Sequence, residues 1–106
     1  MLFNEGTLFE VRGRFGGTPL HVAAGFEMVP TCKALANHPD LEVNAIDAEM
    51  GETPLIAAAY SGMDEIVQIL LARNADVNVK NVEGDTALSV AQKENKSAVV
   101  ALLQNA

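Results

Sequence analysis

Apolar residues in this chain come in short bursts at helical spacing, and the bursts repeat. Leu20, Ala23 and Ala24 fall three and four residues apart, and so do Leu55, Ala58 and Ala59. That spacing places each set on one face of a short helix. Each burst follows a Gly-x-Thr step. The first runs Gly16-Gly17-Thr18-Pro19-Leu20-His21-Val22-Ala23-Ala24 and the second Gly51-Glu52-Thr53-Pro54-Leu55-Ile56-Ala57-Ala58-Ala59. The third is Gly84-Asp85-Thr86-Ala87-Leu88-Ser89-Val90-Ala91-Gln92. Thr18 and Thr53 are 35 residues apart, Thr53 and Thr86 33. Threonine suits a helix N-cap, because its hydroxyl accepts from an orphan backbone N–H. Proline in the next position brings a preset φ and gives up no needed donor.

A second apolar burst follows in each unit. In the middle unit it is Asp64-Glu65-Ile66-Val67-Gln68-Ile69-Leu70-Leu71-Ala72-Arg73, with acids in the first turn and Arg73 at the end, both suited to the helix dipole. Gly62 between the two helices predicts a tight turn with positive φ. The third unit repeats the burst as Ser97-Ala98-Val99-Val100-Ala101-Leu102-Leu103, with Asn95 at the turn. Short polar residues alternate with valine from Asn74 to Asn81, which predicts a loop and a projecting hairpin. A period near 33 marks a stack of units that bury their apolar faces only against one another.

Thr18-Pro19-Leu20-His21, Ala75-Asp76-Val77-Asn78 and the 33-residue spacing together resemble the ankyrin repeat. The resemblance covers nearly the whole chain and rests on several fixed offsets at once. It implies an all-α repeat solenoid of helix–turn–helix units with projecting β-hairpin loops, one domain over residues 1–106. The units expected are a partial tail at 1–12, repeats at 13–47 and 48–80, and a polar closing repeat at 81–106.

The first unit departs from the pattern. Glu27 replaces the inter-helix glycine, and Pro30 sets the outer helix to start at or just after Met28. The apolar pattern there is weak: Thr31, Cys32, Leu35. The hairpin from Ala45 to Met50 is one residue longer, which puts Met50 and Ile46 near an exposed tip. Leu2 to Thr7 resembles the end of an outer helix, so residues 1–12 read as the tail of a repeat whose helices are missing. If the chain was cut from a longer stack, the Leu20 and Leu35 side of the first unit is uncovered. End-to-end self-association through that end is then expected.

Composition narrows the function. The formal charge is −7 over 106 residues, and the densest basic stretch is Arg12 with Arg14. Nucleic acid is disfavoured, because phosphate contacts need a basic face. The single cysteine, Cys32, allows no intrachain disulfide and reads as a small buried hydrophobe. No apolar run reaches the ~18 residues that cross a bilayer, and no leader is visible. A cytoplasmic protein with no membrane association is expected.

No catalytic or metal set emerges, and no cofactor is expected. His21 reads as a structural hydrogen-bonding residue, and His38 stands alone without ligand spacing. Asp64 and Glu65 are adjacent and point to different sides of a helix. Ser61 lacks a nucleophile-elbow setting, and Gly16-Gly17 has no phosphate-loop lysine. Asn44 and Asn78 read as loop braces.

Function then falls to positions the repeat does not need. By resemblance, ankyrin repeats bind protein partners through hairpin tips and the exposed side of the inner helices. Those positions here are Arg14, Phe15, Gly25 and Phe26 in the first unit. The second unit adds Ile46, Glu49, Met50, Glu52, Tyr60 and Ser61, and the third Lys80, Val82, Glu83, Asp85, Lys93 and Glu94. Phe15, Phe26, Met50 and Tyr60 have the composition of an interface centre. Phe15 and Phe26 carry a second reading, as cover over the N-terminal core. The expectation is a non-enzymatic module that binds another protein. The alternatives are a self-associating fragment and a regulatory or targeting segment of a larger protein or enzyme.

Overall fold

The computed structural model describes residues 18–105. Six helices form in the order α1 (Pro19–Gly25), α2 (Val29–Ala36), α3 (Pro54–Ser61), α4 (Asp64–Ala72), α5 (Ala87–Lys93) and α6 (Ser97–Gln104). They pack as two layers. The inner helices α1, α3 and α5 touch in sequence, the outer helices α2, α4 and α6 touch in sequence, and each inner helix packs on its own outer helix. Arg14, Phe15, Gly16, Gly17 and the tail expected at 1–12 lie outside the described residues.

Each inner helix starts as its threonine requires. The hydroxyls of Thr18, Thr53 and Thr86 accept from His21 N–H at 3.4 Å, Ile56 N–H at 3.3 Å and Ser89 N–H at 3.2 Å. Such a cap stabilises a short helix by about 1 kcal/mol. His21 and Ser89 return the bond: their side chains accept from the backbone N–H of Thr18 and Thr86, 3.0 and 2.9 Å away. Ile56 has no polar atom for this. The turns after the inner helices hold Glu27 at φ 63°, Gly62 at 73° and Asn95 at 59°. Outer helix α2 follows its N-cap residue Met28, with Pro30 in its first turn.

The core runs between the layers. Leu20, Ala23 and Ala24 of α1 meet Leu55, Ile56, Ala58 and Ala59 of α3, with Ile66, Val67 and Leu70 of α4 behind them. Small alanines let the inner helices approach closely. Cys32 is fully buried among them, and burial pushes its thiol up to about 11. It is a packing residue.

Four expectations change. Among the described residues the projecting loops form turns and no β-strand. The first is closed by Asp47 N–H donating to the Glu52 carbonyl at 3.0 Å, the second by Asn81 N–H donating to the Asp85 carbonyl and Gly84 N–H to the Asn81 carbonyl, both at 2.9 Å. Leu20 is buried, not uncovered; of the pair only Leu35 is partly exposed. Arg73 does not serve the end of its own helix. Its guanidinium donates to the carbonyls of Ala36 and, at 3.2 Å, His38, so it caps the end of the preceding outer helix α2. Asp85, expected at the surface, is 7% exposed, because Ser89 and Lys93 fold onto its carboxylate.

Candidate protein-binding surface

The inner helices and the projecting loops share one face. Its loops are braced from below by two buried side chains at matching places. Asp47 Oδ1 accepts from the N–H groups of Met50 at 2.6 Å and Gly51 at 3.0 Å. Asn81 Oδ1 accepts from those of Glu83 at 2.9 Å and Asp85 at 3.0 Å. Asp47 stands four residues before Gly51, and Asn81 three before Gly84; the difference is the extra residue of the first loop. The tips are then tied together, since Val82 N–H donates to the Met50 carbonyl at 2.9 Å. Gly51, at φ 67°, lets this approach happen, with its Cβ direction 3.4 Å from Val82.

His21 joins the first two units beneath this face. Thr18 N–H donates to its Nδ1, so the ring proton sits on Nε2, which donates to the Glu52 carbonyl at 2.6 Å. Burial holds the imidazole below its ordinary pKa, against smaller opposing effects from the Glu52 and Ala45 carbonyls and the Asp47 charge. The ring is a hydrogen-bonded strut, as the sequence reading expected.

Above His21 lies a groove of about 190 Å³. Val22, Gly25, Phe26, Ala57 and Tyr60 line it, together with the polar residues His21, Asp47 and Glu52. Pockets for cofactors and drug-sized ligands run roughly 300–1,000 Å³, so this groove is sized for a side chain. Glu52 is half-buried. Burial raises its pKa, the Asn81 amide 3.4 Å away opposes the rise, and the charges of Asp47 and Glu83 add to it. Burial also raises the Tyr60 hydroxyl, aided by Glu52, Glu83, Asp85 and Glu94. Asp85 is held below the usual carboxylate range chiefly by the Lys93 ammonium 2.8 Å away, which is raised in turn.

The candidate residues divide three ways. Phe26, Ile46, Glu49, Met50, Tyr60, Lys80, Val82, Glu83, Lys93 and Glu94 are exposed. Phe26, Glu52 and Tyr60 meet in the groove, and Met50 and Val82 meet at the loop tips. Ile46 and Lys80 line neither the groove nor its carboxylate rim. Ser61 faces inward: its hydroxyl donates to the carbonyls of Ala24 at 3.1 Å and Ala58 at 3.0 Å, linking α1 to α3. Asp85 is buried and paired with Lys93. The sequence reading missed Met28, which is 37% exposed, and missed Asp47 and Asn81. For the latter two a signal existed, an Asx residue shortly before a turn glycine.

Among the described residues no group of three or more His, Cys, Asp and Glu side chains could hold a metal ion, and no helix is long and apolar enough to cross a membrane.

The family model described as "Ankyrin repeats (3 copies)" matches residues 1–81. Protein phosphatase 1 regulatory subunit 12A of Mus musculus is 38% identical over 92 residues, covering 86% of this chain and 9% of the relative. Ankyrin repeat and SOCS box protein 18 of Homo sapiens is 36% identical over 76 residues, 72% of this chain and 16% of the relative. Rabankyrin-5 of Mus musculus is 42% identical over 57 residues, 54% of this chain and 5% of the relative. The chain thus spans only a small part of the length of each relative.

Proposed function

Because the chain belongs to the ankyrin repeat family, whose repeats are generally protein–protein interaction modules, we propose that it is a non-enzymatic module that binds a partner protein on its inner-helix and loop face. The observation that carries this is where the large apolar side chains sit. The exposed ones among the described residues are Phe26, Met28, Ile46, Met50, Tyr60 and Val82, and none belongs to an outer helix. Tyr60 lies in the last turn of an inner helix, Phe26 caps another, Met28 is the N-cap of outer helix α2, and Ile46, Met50 and Val82 lie in the projecting loops. Apolar and aromatic residues framed by charge are the composition of interface centres. Tertiary packing already fixes these loops, so binding costs little ordering.

A second reading is supported by the first relative. It is named a regulatory subunit, and its match covers most of this chain and little of itself. On that reading the repeats are the regulatory or targeting segment of a larger protein.

Photo-crosslinking tests the module. A crosslinker at position 60 should capture protein partners, and one at Gln68, exposed on outer helix α4, should not. Tyr60→Ala with Met50→Ala should weaken a captured partner about tenfold or more while moving the melting point by no more than about 2 °C. Equal capture from both positions overturns the assignment of the face. Unfolding of the double variant shows that these residues belong to the core.

A further inference from the structure

The groove between α1 and α3 has a chemistry more specific than a generic interface. Its lining is mostly apolar and aromatic, and Glu52 is one of its few acidic residues. One oxygen of Glu52 has the long bond to Asn81, and no cation among the described residues pairs with it. Asp47 lies in the same groove, and Glu83, Asp85 and Glu94 act on the Tyr60 hydroxyl from the adjoining rim. Among the described residues the ammonium that acts on the same rim, Lys93, is already committed to Asp85.

The geometry points to an arginine-bearing segment of a partner protein as the occupant, its guanidinium lying on the Tyr60 ring and pairing with Glu52. This rests on the module reading above and names the partner chemistry for the same face. The choice follows from what each occupant does to Glu52. An apolar side chain would complete the burial of a carboxylate without a partner, which costs several kcal/mol or forces protonation. An acidic segment or a nucleic acid backbone meets like charge. A cation offsets the desolvation that Glu52 already feels. Arginine fits better than lysine because its planar guanidinium stacks on an aromatic face and bonds a carboxylate through two N–H groups, and it is more weakly hydrated. The groove volume suits one long side chain.

The test uses a flexible Gly/Ser peptide with one central arginine, its lysine twin and its neutral citrulline twin, titrated into the whole chain and followed by amide NMR. Shifts from the arginine peptide should centre on Gly25, Glu52, Ala57 and Tyr60. Citrulline should bind about tenfold more weakly or worse, and lysine in between. Glu52→Gln keeps an acceptor for Asn81, so it should fold normally and lose about tenfold in arginine binding. Glu65→Gln, on the outer layer and paired with Lys33, should change nothing. Equal binding of arginine and citrulline, shifts spread over every acidic patch, or an unaffected Glu52→Gln overturns the proposal. So does binding seen only after Arg12→Ala and Arg14→Ala, which makes the chain's own arginines the occupant. Crosslinked partner segments without arginine, captured from position 60, overturn this proposal and leave the module reading standing. No preferential capture at position 60 removes the module reading itself.

Discussion

The first and middle repeats trace nearly the same backbone with different amounts of chemistry. Outer helix α4 buries Ile66, Val67 and Leu70, whereas α2 buries Cys32 alone. The matching residues of α2, counted back by the 35-residue offset, are Thr31, Cys32 and Leu35. At the inter-helix turn the middle unit has Gly62 and the first has Glu27, both at positive φ. The first repeat therefore invests less in its own core and takes support from its neighbour. Arg73 reaches back to cap α2, and the Glu52 carbonyl accepts from His21. In a stack of this kind stability is a sum of unit and interface contributions, and a poor unit persists if its interface is good.

The largest expected effect separates the two outer helices. Leu70→Ala should cost about 2–5 kcal/mol, because a fully buried leucine leaves a cavity in the centre of the stack. Leu35→Ala should cost roughly 1 kcal/mol, because the side chain is only partly removed from water. Urea unfolding of the two variants measures the gap. Equal losses would mean that the first repeat is packed as firmly as the second.

The turns come next. Gly62→Ala places a β-carbon on a backbone at φ 73°, a cost of roughly 1–2 kcal/mol. Lys96 Cδ lies 2.6 Å from that carbon's position, and its flexible stem must move aside. Glu27→Gly runs the other way. It relieves the left-handed conformation and gives back part of the gain in unfolded-chain entropy, for a net stabilisation of roughly 0.5–1 kcal/mol. Opposite signs at equivalent positions are the test. A loss of stability in Glu27→Gly would show that the glutamate side chain contributes more than its backbone costs.

What was legible in the chain was what each residue does within its own unit. Thr18, Thr53 and Thr86 cap helices, and Gly62 and Asn95 take positive φ, through local chemistry that needs no neighbour. Placing Tyr60 on an exposed inner-helix position followed from the resemblance to the ankyrin repeat. Arg73 and Ser61 were misjudged for a common reason: their partners lie a whole repeat away, at Ala36 and Ala24. The groove was invisible for the same reason, since His21, Phe26, Glu52 and Tyr60 come from two units. Asp85 was misjudged within its own unit, where Ser89 and Lys93, on the helix that follows, close over its carboxylate.

The smallest effect distinguishes the two junctions by pH. His21 spans the first junction, and Ile56 holds the matching position in the second, with nothing to titrate. Burial disfavours the charged imidazole, so the folded chain favours the neutral ring and its pKa lies below the ordinary 6.5; a proton on Nδ1 would also break the bond from Thr18 N–H. The unfolded chain therefore takes up the proton first. Stability from this group is fully present above pH 6.5 and falls as the pH drops below it, until the folded pKa is passed. Glu52 acts in the opposite sense: its raised pKa favours the protonated carboxyl in the fold, so its contribution is present at acid pH and is lost as the pH rises through its folded pKa. Urea midpoints between about pH 7.5 and 5 should thus decline in the native chain and decline less in His21→Ile, which copies the middle repeat. Parallel slopes for the two chains would show that the imidazole is not the strut that joins the first unit to the second.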